Sequence, residues 1–186
     1  PSLRGQLIGS EPHWGRYNMA ERYARPTDDM APLVGKATIA WNDLQFAMLS
    51  IFFTVLPCPR ELSETLFFSI KSDRAQREMV RAAVEYVVTP IDATLAKKIT
   101  DVFVKIEKKQ YKRRNSAVHA MWMIRLENQE PAIYQEKDHL SKKGSLKEIK
   151  KELETMTVDF MEIANDLFEH KHALWHLLKF GKKRPS

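Results

Sequence analysis

The sequence has one cysteine and six glycines among its 186 residues. One cysteine excludes an intramolecular disulfide framework and is typical of a reducing compartment, so we expect a cytoplasmic protein. No P-loop or dinucleotide-binding fingerprint occurs, which argues against a phosphate-cradling nucleotide fold. The longest apolar run, residues 47–57, contains Ser50 and Thr54 and is too short to span a bilayer, so no membrane partner is expected.

What the chain does have is a hydrophobic fraction of 44% and a net charge of +6. The first is sufficient for a globular core, and the second favours polyanionic partners such as nucleic acid. We expect one domain over residues 31–180. An extended arm over residues 1–30, punctuated by glycine and proline, precedes it, and a loose basic tail over residues 181–186 follows it.

Apolar residues at helical spacing predict five helices. The first three cover about residues 32–55, 60–70 and 73–88. A fourth opens at Thr89-Pro90, with Thr89 as the cap, and continues into a basic segment. The fifth begins at the capping box Ser145-Leu146-Lys147-Glu148. Its apolar residues then alternate three and four apart, which fits a bundle helix or pairing with another chain equally well.

Between the fourth and fifth helices the pattern changes to that of strands. Segments 123–126 and 132–135 flank Asn128-Gln129-Glu130-Pro131 and predict a β-hairpin over about 122–136. The fold class we expect is therefore all-α in the main, an up-and-down bundle of about five helices with a small β-hairpin insertion.

The basic segment supplies six lysines or arginines within residues 105–114. Four of these, Lys108, Lys109, Lys112 and Arg113, can contact RNA phosphates, and Tyr111 can stack on a base. The alternative is an ordinary solvated helix face.

The segment ends in the run Arg114-Asn115-Ser116-Ala117-Val118-His119, which has the groups needed for RNA cleavage without a metal. An imidazole has an unperturbed pKa of about 6.5 and can take a proton from a 2′-hydroxyl or give one to a leaving 5′-oxygen. A guanidinium can stabilise charge on the phosphoryl oxygens. Ser116 lies close enough along the helix to contact the same RNA.

Helix geometry limits how this run can act. On an ideal helix Arg114 and His119 point about 140° apart, whereas Asn115 and His119 share a face. Arg114 must therefore reach around the helix, or the helix must bend, or a second subunit must complete the site. Two such helices facing across a two-fold axis would bring two arginines and two histidines into one cleft.

This run, followed by Ala120-Met121-Trp122, resembles the Arg-x4–6-His motif of the HEPN superfamily (higher eukaryotes and prokaryotes nucleotide-binding), in the form Arg-Asn-x-x-x-His. An early long helix carrying Trp41-Asn42-Asp43-Leu44 adds to the resemblance, which spans roughly residues 32–178. It implies a helical bundle with the motif late in a long helix. Many HEPN proteins are metal-independent endoribonucleases that act as homodimers in toxin–antitoxin, phage-defence and CRISPR-associated systems.

The resemblance also implies roles for individual residues. Arg114 would stabilise the scissile phosphate, His119 would transfer protons, and Asn115 would orient the site. Arg113 stands six residues before His119 and also fits the permitted spacing. The partners implied are RNA, a second copy of the chain and possible antitoxin or other protein partners, with no cofactor and no metal.

Two alternative functions stay open from the residues alone. Other HEPN proteins are inactive scaffolds, so a non-catalytic interaction module is one, and a helical nucleic-acid binder is the other. His170, His172 and His176 near the end of the fifth helix suggest surface histidines rather than a metal site. Asp73-Arg74 and Arg77 indicate a charged helix start, or they line the cleft.

Overall fold

The structure, a computed structural model, describes the backbone of residues 19–118, 122–127, 130–137 and 139–181 and the side chains of residues 29–115 and 145–181. Helices dominate this part of the chain, which confirms the all-α fold class. They are α1 (Met19–Val55), α2 (Arg60–Ser69), α3 (Asp73–Val88), α4 (Ala93–Lys105), a π-helical turn (Ile106–Gln110), α5 (Tyr111–Val118) and α6 (Leu146–Phe180).

The predicted fourth helix is present as α4, the π-helical turn and α5, which follow one another without a break. Taken as one element, they leave five helices within the described ranges, the number that the apolar periodicity predicts. None of these helices combines the length and the apolar character needed to cross a bilayer.

Helix α1 begins at Met19, earlier than the expected start near residue 32. Residues 19–30 are therefore helical and not extended, which corrects the arm predicted for residues 1–30; residues 1–18 lie outside the described residues. Proline disfavours a helix interior, but Pro26 and Pro32 lie within α1. Tertiary contacts oppose this effect, since Met30 is buried and Lys150 Nζ of α6 donates to Asp29 Oδ2 at 2.6 Å.

The cap predicted for α6 is present, but the one predicted for α4 is not. Ser72 Oγ accepts a hydrogen bond from the Ala75 backbone at 3.3 Å, and the capping box that opens α6 is present. At α4 the predicted cap Thr89 is wrong. Asp92 caps this helix by accepting from the Leu95 backbone at 2.9 Å, and Thr89 is helical at the end of α3. Aspartate caps more strongly than threonine, which explains the later start.

The hydrophobic core lies mainly between α1 and α6, which make the most extensive contact in the fold. The α6 residues that alternate three and four apart face this contact; the buried ones are Ile149, Leu153, Met156, Phe160, Ile163 and Leu167. Trp41 of α1 meets Phe160 edge to face, with ring centroids 5.1 Å apart. The heptad-like seam is thus used within one chain, which resolves the two interpretations that its spacing allows.

Three strands lie between α5 and α6: β1 (Trp122–Glu127), β2 (Glu130–Lys137) and β3 (His139–Ser145). They pair antiparallel in the order β1-β2-β3, with Trp122 opposite Gln135. The turn residues 128 and 129 lie outside the described residues, so the hairpin insertion over about 122–136 stays a prediction.

Candidate active site

Arg114 of the predicted motif is held from three sides. Its Nη1 donates to Asn115 Oδ1 at 3.0 Å and lies 3.9 Å from Asp73 Oδ2 of α3. Its guanidinium carbon lies 5.7 Å from the centre of the Trp41 ring of α1, which is cation–π distance. The side chain keeps 21% of its surface exposed, so it is partly buried and still open to solvent.

The carboxylate that faces Arg114 is itself fixed. Asp73 is the first residue of α3, where the helix dipole favours a negative charge. Gln45 Nε2 of α1 donates to Asp73 Oδ1 at 3.1 Å, which leaves Oδ2 on the side of Arg114. Arg114 is therefore positioned by a chain of contacts that joins α1, α3 and α5.

Arg113 makes a different set of contacts, with α6. Its Nη1 donates to Asp159 Oδ2 in a short ion pair and to Gln110 Oε1 at 3.0 Å. Burial by itself raises the pKa of Asp159, but the hydrogen bonds from Arg113 and Gln110 and the charge of Arg113 outweigh it. The pKa of Asp159 consequently lies below its ordinary value.

The two neighbouring arginines thus face different partners. Consecutive residues project about 100° apart around a helix, so Arg113 faces α6 while Arg114 faces α1 and α3. Both fit the motif spacing in the sequence. Arg114 is the one that lies beside Asn115 and packs on Trp41, two residues that also carry the resemblance.

The π-helical turn lies directly before these arginines and was not predicted. Ile106 is the last apolar residue of the helix stripe to be buried, and Gln110 is buried four residues later. The buried face of this helix therefore continues beyond Ile106, where polar side chains with partners inside the protein replace the apolar ones. π-Helical turns are rare and often lie at functional sites.

The residues predicted to bind RNA differ in their surroundings. Lys108, Lys109 and Lys112 are exposed, whereas Tyr111 is half-buried. The guanidinium carbon of Arg77 lies 5.1 Å from the centre of the Tyr111 ring and covers one of its faces. A base would have to stack on the other face of the Tyr111 ring. RNA binding by Tyr111 and the three lysines stays a prediction.

His119 and the side chain of Ser116 lie outside the described residues. Of the motif residues, the structure shows Arg114 and Asn115 in contact with each other. The role of His119 and the three geometric alternatives for its approach to Arg114 stay predictions.

For two residues of the site, Asp73 and Arg77, the sequence left two interpretations open, a charged helix start or a place in the lining of the cleft. The two residues join Gln45, Tyr111 and Arg114 in what we call the polar layer, a set of polar contacts between α1, α3 and α5. The sequence contains one signal that Arg77 is buried. It stands three residues before Val80 and seven before Val84, which places it on the core face of α3.

No group of three histidine, cysteine, aspartate or glutamate side chains that could hold a metal ion occurs among the side chains of residues 29–115 and 145–181. His172 and His176 are exposed on α6. The ring of His176 lies 4.9 Å from Trp175 and 5.9 Å from Phe180, between centroids.

The arrangement provides a fixed, partly exposed guanidinium beside an amide. Such a group can hold a phosphoryl oxygen without reorganising, since its contacts to Asp73 and Trp41 already set its position. The sequence assigns proton transfer to His119, which lies outside the described residues.

Comparison with known proteins does not identify a family. No family model matches the chain, and neither a curated protein nor a solved structure does. The resemblance to the HEPN superfamily therefore stays a prediction from the motif.

Proposed function

We propose that the protein is a metal-independent endoribonuclease of the HEPN type, which acts in the cytoplasm as a homodimer. The observation that carries the proposal is the fixation of Arg114 by Asp73, Asn115 and Trp41. A purely solvated arginine would not need three partners on three helices. The resemblance suggests a toxin or phage-defence role, with an antitoxin as a further partner.

In the proposed reaction the 2′-oxygen attacks the adjacent phosphorus and the bond to the 5′-oxygen breaks. His119 accepts the proton of the 2′-hydroxyl or gives one to the leaving 5′-oxygen, and the symmetry-related imidazole performs the other transfer. Arg114 stabilises the charge that develops on the phosphoryl oxygens. Asn115 acts as a positioning residue through its hydrogen bond with Arg114.

The exposed lysines of the same continuous helix support this proposal. Lys108, Lys109 and Lys112 lie within two turns of Arg114 and are free of the core. A strand of RNA that reaches Arg114 can be held by these charges, and its binding would then fall steeply with salt.

A second candidate function is a non-catalytic interaction module with the same fold. The observation that favours it is that Arg113 and Arg114 both have acidic partners within the chain, Asp159 and Asp73. Arginines held in this way can serve the fold alone.

RNA cleavage in the presence of EDTA separates the two functions. We expect fragments with 2′,3′-cyclic phosphate ends from the wild-type protein. Arg114→Ala should lower the cleavage rate by about 10²–10³-fold and His119→Ala by about 10²–10⁴-fold, with the dimer intact by light scattering.

Two matched controls are available in the same chain. Arg60 is exposed on α2, where it pairs with Glu64 four residues on and lies over the Phe53 ring, and His172 is exposed on α6. Arg60→Ala and His172→Ala should cleave RNA at the wild-type rate. Full activity in both motif variants would remove the catalytic assignment, and a wild-type protein that yields no fragments would favour the interaction module.

A further inference from the structure

A buried guanidinium that has no hydrogen-bond partner among the described residues lies next to the candidate active site. Arg77 of α3 is 3% exposed, and neither Nη1 nor Nη2 has a hydrogen-bond partner in the part of the chain that the structure describes. A buried charge in this state is costly, because it has lost water and gained no acceptor. Burial accordingly lowers the pKa of Arg77, and the charges of Asp73 and Glu107 offset this only in part.

The acidic groups around Arg77 are engaged elsewhere. Asp73 Oδ1 accepts from Gln45 at 3.1 Å, and Glu107 Oε1 lies 3.6 Å from Arg74 Nε. Tyr111 offers a ring face, which attracts the cation but accepts no conventional hydrogen bond. The guanidinium therefore has compensating charges nearby and two donor nitrogens without an acceptor among the described residues.

Arg77 is also one of the residues that line a cleft between α3 and the continuous helix. The cleft is lined by Arg74, Arg77, Glu78, Arg81, Phe103 and Glu107. Its volume is about 220 Å³ including the open mouth, with room inside for about one water-sized group. Three arginines face two glutamates here, so the lining carries one positive charge in excess.

We propose that this cleft binds a phosphate group, with one oxygen held by Arg77. The remaining oxygens would face Arg74 and Arg81 at the mouth, whose side chains are 67% and 40% exposed. Arginine donors match phosphate oxygens in geometry and charge. A phosphate at this position would satisfy the two nitrogens that the fold leaves without acceptors.

The cleft lies close to Arg114. Arg114 faces Asp73, and Tyr111 faces Arg77. Arg77 is one helical turn from Asp73 on α3, and Tyr111 is about one turn from Arg114 on α5. The two contacts are therefore about 5 Å apart along the helices. An RNA strand bound at Arg114 could place a neighbouring phosphate in the cleft, and this source of the phosphate rests on the proposed function, whereas a free phosphate does not.

The test uses the full chain and inorganic phosphate, with thermal unfolding and calorimetry at constant ionic strength. We expect phosphate, but not chloride, to raise the Tm of the wild-type protein and Arg77→Met to lose this response, with at least about a tenfold loss in affinity. The matched control is Arg60→Met, which makes the same change at an exposed ion pair and should respond as the wild type does. An equal phosphate response in Arg77→Met, or none beyond that of chloride in the wild type, would overturn the proposal.

Two further variants keep the test decisive. Arg77→Lys retains the charge but loses the forked donors, so it should fold and still bind inorganic phosphate about tenfold more weakly. Unchanged affinity in a folded Arg77→Lys would count against the site. Arg114→Ala should lose RNA cleavage and keep the phosphate response, so that failure of the proposed function and failure of the phosphate site are distinguishable.

A 2′-deoxy oligonucleotide, which cannot be cleaved by 2′-oxygen attack, identifies the source of the phosphate. If its Kd rises in Arg77→Met together with the loss of phosphate binding, the site holds a backbone phosphate. If only inorganic phosphate binding is lost, the site takes a free phosphate. Both results support the site, and unchanged binding of both probes contradicts it.

Discussion

The contact between α1 and α6 and the polar layer are built from opposite kinds of interaction. In the first, apolar residues such as Trp41 and Phe160 are buried against each other, and each contributes in proportion to the area it removes from water. In the polar layer each group depends on a particular acceptor, as Arg114 does on Asp73. Arg77 shows what happens where that acceptor is absent among the described residues.

The difference teaches where function can reside in this fold. An apolar contact is non-directional and tolerates small changes in shape, so it stabilises the bundle without selecting a ligand. A buried polar contact is directional, and an unfilled donor attracts whichever group can satisfy it. We therefore expect mutations between α1 and α6 to change stability, and mutations in the polar layer to change binding and catalysis more than stability.

The largest effect on stability is expected for Phe160→Ala. Phe160 is fully buried and meets Trp41 edge to face, so the variant loses both the buried area and this contact and leaves a cavity. The free energy of unfolding should fall by about 3–5 kcal/mol, measured by urea unfolding. Val158→Ala on an exposed position of the same helix should change it by less than about 0.5 kcal/mol. A loss below about 1 kcal/mol for Phe160→Ala would mean that the α1–α6 contact is not the centre of the core.

The next effect is expected for Asp159→Asn, which removes the charge that Arg113 and Gln110 bind. Two donors then face a neutral acceptor, and the free energy of unfolding should fall by about 1.5–3 kcal/mol at neutral pH.

The same variant tests the lowered pKa of Asp159. A carboxyl group whose pKa is lower in the folded state stabilises the fold at neutral pH, and this contribution is lost as the pH falls through the folded pKa. The difference in stability between wild type and Asp159→Asn should therefore be largest near about pH 7 and should shrink on acidification to about pH 3. A difference that stays constant over this range would contradict the shift.

A smaller effect on stability is expected for Asp73→Asn. The amide oxygen can still accept from Gln45, but the variant loses the negative charge that faces Arg114, offsets the buried Arg77 and suits the start of α3. The free energy of unfolding should fall by about 1 kcal/mol. If Arg114 is catalytic, RNA cleavage should fall by about tenfold or more, because a correctly aimed guanidinium is lost. Cleavage at the wild-type rate would show that Asp73 does not position Arg114 for the reaction.

The smallest effect is expected for Lys97→Ala. Lys97 and Asp101 form an exposed ion pair one turn apart on α4, with a distance of 2.6 Å between Nζ and Oδ2. Exposed pairs of this kind contribute little, so the free energy of unfolding should change by less than about 0.5 kcal/mol. A larger loss would indicate that exposed ion pairs contribute to stability in addition to the α1–α6 contact and the polar layer.

Much of the helical framework could be predicted from the sequence. The bounds of α2 and α3 and the capping box of α6 follow from local signals: apolar spacing, proline positions and hydroxyl caps. The start of α4 was predicted wrongly because Thr89-Pro90 has the pattern of a helix start, whereas Asp92, three residues after Thr89, is the stronger cap. The early start of α1 goes with the burial of Met30 and the contact of Asp29 with α6, which no local pattern indicates.

The candidate site was predicted only in part. The motif draws attention to Arg114 and Asn115, which the structure places in contact, but nothing in the sequence joins them to Asp73 or Gln45 on other helices. The π-helical turn was likewise missed, because its composition does not differ from that of an ordinary basic helix.

By itself the sequence determined the helical class of the protein, since the spacing of apolar residues defines which face of each helix avoids water. It also marked the Arg-Asn-x-x-x-His run as the place to look for chemistry. Only the tertiary structure decided which arginine faces α3 and which faces α6, and that Arg77 is buried without an acceptor among the described residues. The physical reason is range: helix periodicity is a property of neighbours along the chain, whereas the partner of a buried charge comes from whichever distant segment the fold brings beside it.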